Sequence, residues 1–318
     1  MASPEILITA PMHPSVEAAL APRFTLHRLW LQPDPTAFLA AHGPAIRGVA
    51  TTTLGGAIGE DLFARLPALE IVANFGVGYE NVDVAAAAAR GLVVTNTPGV
   101  LDEEVADLAV ALLLATIRRL PQAERHLREG RWLQASFPLS PSLRGRTVGI
   151  LGLGAIGKAI ARRLAGFGVA LAYHGRRRQP DVPYPWHPTP RALAEACDTL
   201  IAILPGGAET RHIVNAEVLA ALGPQGVFIN VARGSVVDEA ALVAALANGT
   251  ILAAGLDVYA NEPQVPADLL ALPNAVLLPH VGSASEATRT AMGTLVADNL
   301  IAWFTEGRPL TPVAETPL

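Results

Sequence analysis

Three short apolar runs in the second half of the chain each lead into a side chain able to do acid–base or electrostatic chemistry. Residues 226–230 run into Arg233, residues 252–258 into Glu262 and residues 275–278 into His280. If these runs are parallel strands of one open sheet, the three side chains lie beyond its carboxyl ends, where such sheets bind ligands. Singly, each has a plain reading: Arg233 or Glu262 as a surface residue, and His280 as a histidine without catalytic work. Together they suit the reduction of a ketone beside a carboxylate. Arg233 would bind the carboxylate and polarise the carbonyl. His280 would donate the proton that accompanies a hydride. Glu262 would hold the imidazole in place and keep it protonated.

A second constellation precedes these. Gly152-Leu153-Gly154-Ala155-Ile156-Gly157 follows an apolar run at 147–151 and opens a helical stretch at 155–164. A glycine-rich turn alone is a weak signal, but between strand and helix it meets the demands of a dinucleotide site. Gly152 allows the tight turn, Gly154 lets the backbone approach a pyrophosphate, and Gly157 lets helix pack close on strand. The helix N-terminus then turns its N–H groups and dipole towards the phosphates. An NAD-selective site places Asp or Glu about 20 residues further on, against the ribose 2′-hydroxyl. Here the next run, 169–173, ends in His174-Gly175-Arg176-Arg177-Arg178, and no acid follows before Asp181. Arginine forks suit a 2′-phosphate. The expected cofactor is NADP(H), with NAD(H) the weaker one.

The elements that must hold these residues follow from the same pattern. Apolar runs at 5–10, 24–30, 46–51, 69–74 and 92–95 predict one set of strands. Runs at 147–151, 169–173, 199–204, 226–230, 252–258 and 275–278 predict a second. Helix-length segments separate nearly all of them, and strands this apolar belong in parallel sheets covered on both faces. Asp83 before an alanine run and Gly91 after it cap one such helix. The segment 105–117 is polar only at Asp107 and Thr116, which predicts a helix buried on every side, between domains or between subunits. Five prolines make 179–190 an irregular loop. A last helix at 285–304 can return the chain to its first domain. The predicted domains are therefore a discontinuous one, 1–98 plus 286–318, and a dinucleotide-binding one, 99–285.

Composition removes several classes. With 51% hydrophobic and 16% charged residues, the chain has a large core to build and no disordered character. Its net charge of −5, with no basic block beyond Arg176-Arg177-Arg178, argues against nucleic acid as a partner. Cys197 is the single cysteine, so neither a disulfide framework nor a multi-cysteine zinc site is expected. Lys158, the single lysine, sits inside the glycine motif, which argues against Schiff-base chemistry. The eight histidines show no paired metal spacing. The N-terminal residues lack a signal-peptide pattern, and no apolar run approaches the ~20 residues of a membrane span. A cytoplasmic protein without a membrane partner is expected.

Four motifs in order carry a resemblance to a known family. They are Val148-Gly-Ile-Leu-Gly-Leu-Gly-Ala-Ile-Gly157, Asn230-Val-Ala-Arg-Gly-Ser-Val-Val-Asp238, Gly255-Leu-Asp-Val-Tyr-Ala-Asn-Glu-Pro263 and Pro279-His-Val-Gly-Ser283. The chain resembles the D-isomer-specific 2-hydroxyacid dehydrogenases, and within them the hydroxypyruvate/glyoxylate and hydroxyphenylpyruvate reductases. The resemblance implies two Rossmann-like or flavodoxin-like α/β domains, an active site in the cleft between them and a homodimer. It implies Arg233, Glu262 and His280 as the catalytic set. Asp257 would contact the nicotinamide carboxamide, and Val231 and Ala232 would line the cofactor. Val77 and Gly78 match the loop whose amides hold the substrate carboxylate. Where the family usually carries an aspartate for NAD, this chain has His174. Trp132 resembles a residue that in some relatives reaches the partner subunit's site. The implied substrates are small 2-keto acids such as glyoxylate and hydroxypyruvate. Aromatic keto acids, or a nucleotide-sensing corepressor-like role, are the alternatives.

Overall fold

The computed structural model describes residues 3–316. They fold as two compact α/β units, one built from Met1–Leu101 and Ser285–Leu318, the other from Asp102–Ala284.

In the first unit, strands β1 (Glu5–Ile8), β2 (Thr25–Arg28), β3 (Ile46–Thr52), β4 (Ile71–Phe75) and β5 (Val93–Thr95) form one sheet. Its order is β2-β1-β3-β4-β5, and every pairing is parallel. Helices α1 (Pro14–Leu20), α2 (Pro35–His42), α3 (Glu60–Phe63) and α4 (Val84–Ala89) connect the strands. α4 is capped by Asp83, whose carboxylate accepts from the Ala86 N–H. Gly91 follows with φ +72°, a value suited to glycine. The chain turns back along the sheet at β1, since β2 lies on one side of it and β3 on the other.

The second unit contains α5 (Asp102–Arg118), α6 (Leu120–Arg128), β6 (Thr147–Leu151), α7 (Ala155–Ala165), β7 (Ala170–His174), β8 (Trp186–His187), α8 (Pro190–Glu195) and β9 (Thr199–Ala202). It continues with α9 (Ala216–Leu222), β10 (Val227–Asn230), α10 (Glu239–Ala247), β11 (Ala253–Leu256), α11 (Ala267–Leu270) and β12 (Ala275–Leu277). The parallel order β12-β11-β10-β9-β6-β7-β8 puts the reversal at β6. Alternate residues of these strands enter different cores. Leu200, Ala202 and Phe228 belong to one, while Ile201, Val227 and Ile229 belong to the other. The sheet is thus covered on both faces, which is why its strands read as unbroken apolar runs. α12 (Glu286–Glu306), capped by the Ser285 hydroxyl, completes the first unit.

Three expectations need correction. The run at 24–30 is a strand only to Arg28 and then a 3₁₀ turn, Leu29–Leu31. Its one neighbour, β1, ends at Ile8 opposite Arg28, so the ladder has nothing further to pair with. The segment 179–190 is not wholly irregular. Trp186 and His187 pair with Tyr173 and His174 as an edge strand, the place in a sheet where flanking prolines are tolerated. Finally, α5 is not buried on every side by its own chain, because Asp107 and Ala111 are exposed there. Its buried face packs on the sheet of its own unit, and Gly255 permits that approach. A Cβ there would lie 2.4 Å from the Thr116 hydroxyl. Among the described residues, no helix is long and apolar enough to cross a membrane.

Candidate active site

The glycine loop joins β6 to α7 at the point where the second sheet reverses. Gly152 has φ +103°, and a Cβ there would lie 2.4 Å from the Ile203 carbonyl oxygen. Gly157 rests on the Gly152 backbone, where a Cβ would come within 2.2 Å of the carbonyl oxygen. Gly154 differs from both. A Cβ there would meet nothing within 4 Å, so packing does not require the glycine. Gly154 is the N-cap of α7 and offers no side-chain cap to the first helical N–H groups. An anion approaching the bare backbone fits that arrangement. Ala155 is exposed and Ile156 half-buried, whereas the Leu153 side chain turns into the core.

The arginine turn lies against this loop. The Gly152 N–H donates to the His174 carbonyl (3.0 Å), and Gln179 Nε2 donates to the Leu153 carbonyl (2.8 Å). His174 Nδ1 is occupied with the His187 carbonyl at 2.8 Å, and Trp186 Nε1 donates to the Gly175 carbonyl. Arg176 and Arg177 are exposed and form no ion pair among the described residues. Two cationic forks beside a phosphate-ready loop fit a 2′-phosphorylated dinucleotide.

At the carboxyl ends of β10, β11 and β12 the candidate chemistry assembles. Asn230, fully buried, shapes the first loop: its amide donates to the Arg233 carbonyl and its oxygen accepts from the Ala232 N–H. Val231 and Ala232 are buried beside it. Gly234 brings this loop onto the next, since a Cβ there would lie 1.8 Å from the Tyr259 carbonyl carbon. Tyr259 then braces two strands. Its N–H donates to Glu262 Oε1 (3.0 Å), and its hydroxyl donates to the Leu278 carbonyl (2.8 Å), two residues before His280. Burial, with the Asp257 charge nearby, pushes the Tyr259 phenol up to about 12, so it remains a donor.

Asp257 clamps the same loop from beneath. Its two oxygens accept from the Val281 and Gly282 N–H groups, each at 2.8 Å. Burial pushes its carboxyl above the ordinary aspartate range, although these amides and the His280 charge pull the other way. Held so, His280 takes the left-handed backbone, φ +52°, uncommon for a residue with a Cβ. Its Nδ1 lies 2.6 Å from Glu262 Oε2. Burial pushes the Glu262 carboxyl up. The His280 hydrogen bond, the Tyr259 amide and the His280 and Arg233 charges outweigh that and hold it below the ordinary range. An ionised carboxylate accepts only, so Nδ1 carries a proton and Nε2 is left to deliver one. The fold thus brings Arg233, Glu262, His280 and Asp257 to one sheet edge.

Val77 and Gly78 belong to the first unit, in the loop after β4. Buried Asn74 donates to the Gly76 and Gly78 carbonyls, Asn96 donates to the Val77 carbonyl, and the Gly76 N–H donates to the Thr97 hydroxyl. With the carbonyls tied down, the Val77 and Gly78 N–H groups donate to no acceptor among the described residues, an arrangement suited to an anion. Asn74, Asn96, Thr97, Asn230, Gly234, Tyr259 and Gln179 were not singled out by sequence reasoning. Asn74 and Asn230 did carry a signal, each being one amide inside an otherwise apolar strand. Among the described residues, no cluster of three or more His, Cys, Asp and Glu side chains could hold a metal ion.

Fold and site together define a Rossmann-type α/β protein with an acid–base pair at the carboxyl edge of its sheet. The chain belongs to the D-isomer specific 2-hydroxyacid dehydrogenase family, its residues 110–282 matching the family's NAD-binding domain. Its structure superposes with a TM-score of 0.93 on the NADPH-dependent glyoxylate/hydroxypyruvate reductase of Sinorhizobium meliloti in complex with NADP and malonate. That protein is 56% identical, with 100% of this chain and 98% of the other covered. The chain is 45% identical over 313 residues to glyoxylate/hydroxypyruvate reductase A of Arabidopsis thaliana (98% of this chain, 100% of the relative). It is also 45% identical over 309 residues to hydroxyphenylpyruvate reductase of Plectranthus scutellarioides (97% and 98%).

Proposed function

We propose that this protein reduces small 2-keto acids of the glyoxylate and hydroxypyruvate type to D-2-hydroxy acids with NADPH, using NADH less well. The observation that carries this reading is the 2.6 Å His280–Glu262 pair on the sheet edge that also bears the glycine loop. NADP(H), when bound, supplies the hydride. The unit around residues 99–285 holds it, through the amides at Gly154, Ala155 and Ile156, the Arg176 and Arg177 forks, and the walls at Gly175, Val231 and Ala232. Asp257, besides clamping the His280 loop, is assigned to the carboxamide end. The domain made of 1–98 and 286–318 takes the substrate, its carboxylate accepting from the Val77 and Gly78 N–H groups. Arg233 binds carboxylate and carbonyl oxygen, and stabilises charge that grows there as the carbonyl is reduced. His280 Nε2 delivers the proton to that oxygen while Glu262 holds the ring.

The test is loss of NADPH absorbance with glyoxylate, hydroxypyruvate, phenylpyruvate and 2-ketogluconate. Fast turnover of the first two is expected. A preference for phenylpyruvate would move the assignment to the aromatic keto acids. NADPH binding without turnover of any would make the protein a nucleotide-sensing binder.

A pH dependence follows from the acid–base pair. Because Glu262 sits below the ordinary carboxylate range, the charged pair persists as pH falls through that range and is lost only below the lowered value. Reduction, read as kcat/KM, therefore holds in mild acid and falls only as pH drops below the lowered carboxyl value. Glu262→Gln keeps the shape and removes the titrating carboxyl, so that acid-side fall disappears from the profile and kcat/KM is lower at every pH. An unmoved profile would reduce Glu262 to a structural residue.

We further assign a homodimer in the cytoplasm. Supporting the dimer, Trp132, Leu133 and Leu139 are 64%, 93% and 99% exposed within one short stretch, an apolar surface that a second copy would cover. Supporting the location, Cys197 is the single cysteine of the sequence, so no internal disulfide can form, which suits a reducing compartment. Sedimentation as a monomer at micromolar concentration would end the dimer assignment.

A further inference from the structure

The first unit holds a cavity of about 190 Å³ lined by Pro11, Met12, His13, Thr52, Phe75 and Arg289. Its position is set by topology. Pro11, Met12 and His13 follow β1, and Thr52 closes β3, the two strands between which this sheet reverses its order. In doubly wound sheets of this order, the crevice at that switch point is where ligands bind. Arg289 reaches the cavity from α12 because that helix rests directly on the start of α1. Gly293 makes the approach possible, since a Cβ there would lie 2.1 Å from the Ser15 hydroxyl oxygen. Arg289, four residues earlier, shares that face of α12. His13 sits at the cap of α1, its Nδ1 accepting from the Ser15 N–H and lying 2.9 Å from the Ser15 hydroxyl. The Arg289 guanidinium lies over the Phe75 ring, 5.7 Å from its centroid, so the charge is kept at the cavity wall.

The lining is of two kinds. Pro11, Met12 and Phe75 supply an apolar wall, while Arg289, His13 and Thr52 supply polar groups able to donate to an oxygen. Such a lining accepts a short carbon chain, and its polar groups favour one bearing a hydroxyl or carboxylate over one ending in a methyl. Phe75 directly precedes the loop whose Val77 and Gly78 amides are assigned to the substrate carboxylate. The Cα atoms of Phe75 and Val77 can be no more than about 7 Å apart, a span comparable to a three-carbon acid. We infer that this cavity is the subsite for the part of the keto acid beyond C2, and that Arg289 selects tails bearing an oxygen. The inference rests on the proposed keto-acid reduction and deepens it by naming what discriminates among those acids.

The experiment compares hydroxypyruvate, pyruvate and glyoxylate at saturating NADPH in wild type, Arg289→Met and Met12→Trp. Arg289→Met removes the charge and keeps the length. Met12→Trp fills the cavity from the other wall. In Arg289→Met, the kcat/KM ratios of hydroxypyruvate to pyruvate and of hydroxypyruvate to glyoxylate fall at least tenfold, mainly through KM. In Met12→Trp, both acids with a third carbon lose ground to glyoxylate by a similar factor. Equal losses on all three substrates, or unchanged ratios in both variants, would overturn the subsite while leaving the proposed activity intact. A wild type that reduces none of the three would instead overturn the activity, and the subsite with it.

Discussion

His280→Ala lowers kcat/KM for keto-acid reduction by about 10²–10⁴-fold, the usual worth of a positioned general acid. Without the imidazole, the alkoxide that forms as the carbonyl is reduced has only Arg233 and water to answer its charge. The loss falls mainly on kcat, because the proton is needed in the transition state and not in substrate binding. Arg233→Ala, by contrast, also raises KM, since that side chain is assigned to the substrate carboxylate. The fold survives the change at His280, whose side chain is 40% exposed. His280→Asn supplies a control on the backbone, because Asn tolerates the left-handed region at φ +52° better than Ala. Both variants retain NADPH affinity within a few-fold, measured by fluorescence titration. A variant keeping more than about a tenth of wild-type kcat/KM would remove His280 as the proton donor and turn attention to water held by Arg233.

The second large effect concerns the cofactor. Charge-assisted hydrogen bonds contribute about 1.5–3 kcal/mol each, and each 1.4 kcal/mol is roughly tenfold in affinity. If Arg176 and Arg177 grip the 2′-phosphate, replacing both with Ala costs NADPH on the order of 10- to 1000-fold and NADH little. The preference ratio measures the effect directly, because NADH lacks the phosphate the arginines address. Both side chains are exposed, so the change leaves no buried group unpaired and stability is little affected. High salt should narrow the wild-type preference by screening the same pairs. Equal losses for the two cofactors would leave the arginines as a solvated turn, with His174 bonded to His187 for structural reasons alone.

Much of the scaffold was legible along the chain. The strand expected at 147–151 is β6, residue for residue, because a strand buried on both faces reads as an apolar run, here Val148 to Leu151 after Thr147. The Asp83 cap and the Gly91 stop could be read because capping depends on residues within one helical turn. Gly152 and Gly157 of the loop were also legible, since a positive φ or a close backbone approach leaves few other residues possible. Arg233, Glu262 and His280 could be proposed as a set because parallel topology sends the ends of neighbouring strands to one edge.

The grips on those residues were not legible. Nothing local to Asp257 says that its carboxylate meets the Val281 and Gly282 amides, and nothing near Tyr259 names the Leu278 carbonyl as its acceptor. Both contacts exist because β11 pairs with β12 in a register that sets Leu256 beside Leu277. Likewise Trp186 and His187, between prolines, became a strand only because β7 left an open edge for them. Arg289 and His13, 276 positions apart, border one cavity because Gly293 lets two helices touch. Periodicity and capping are written by neighbours within a few residues, and a chain carries them wherever it goes. Which carbonyl faces which amide depends on strand order and register, and these arise only when the two sheets close over their cores.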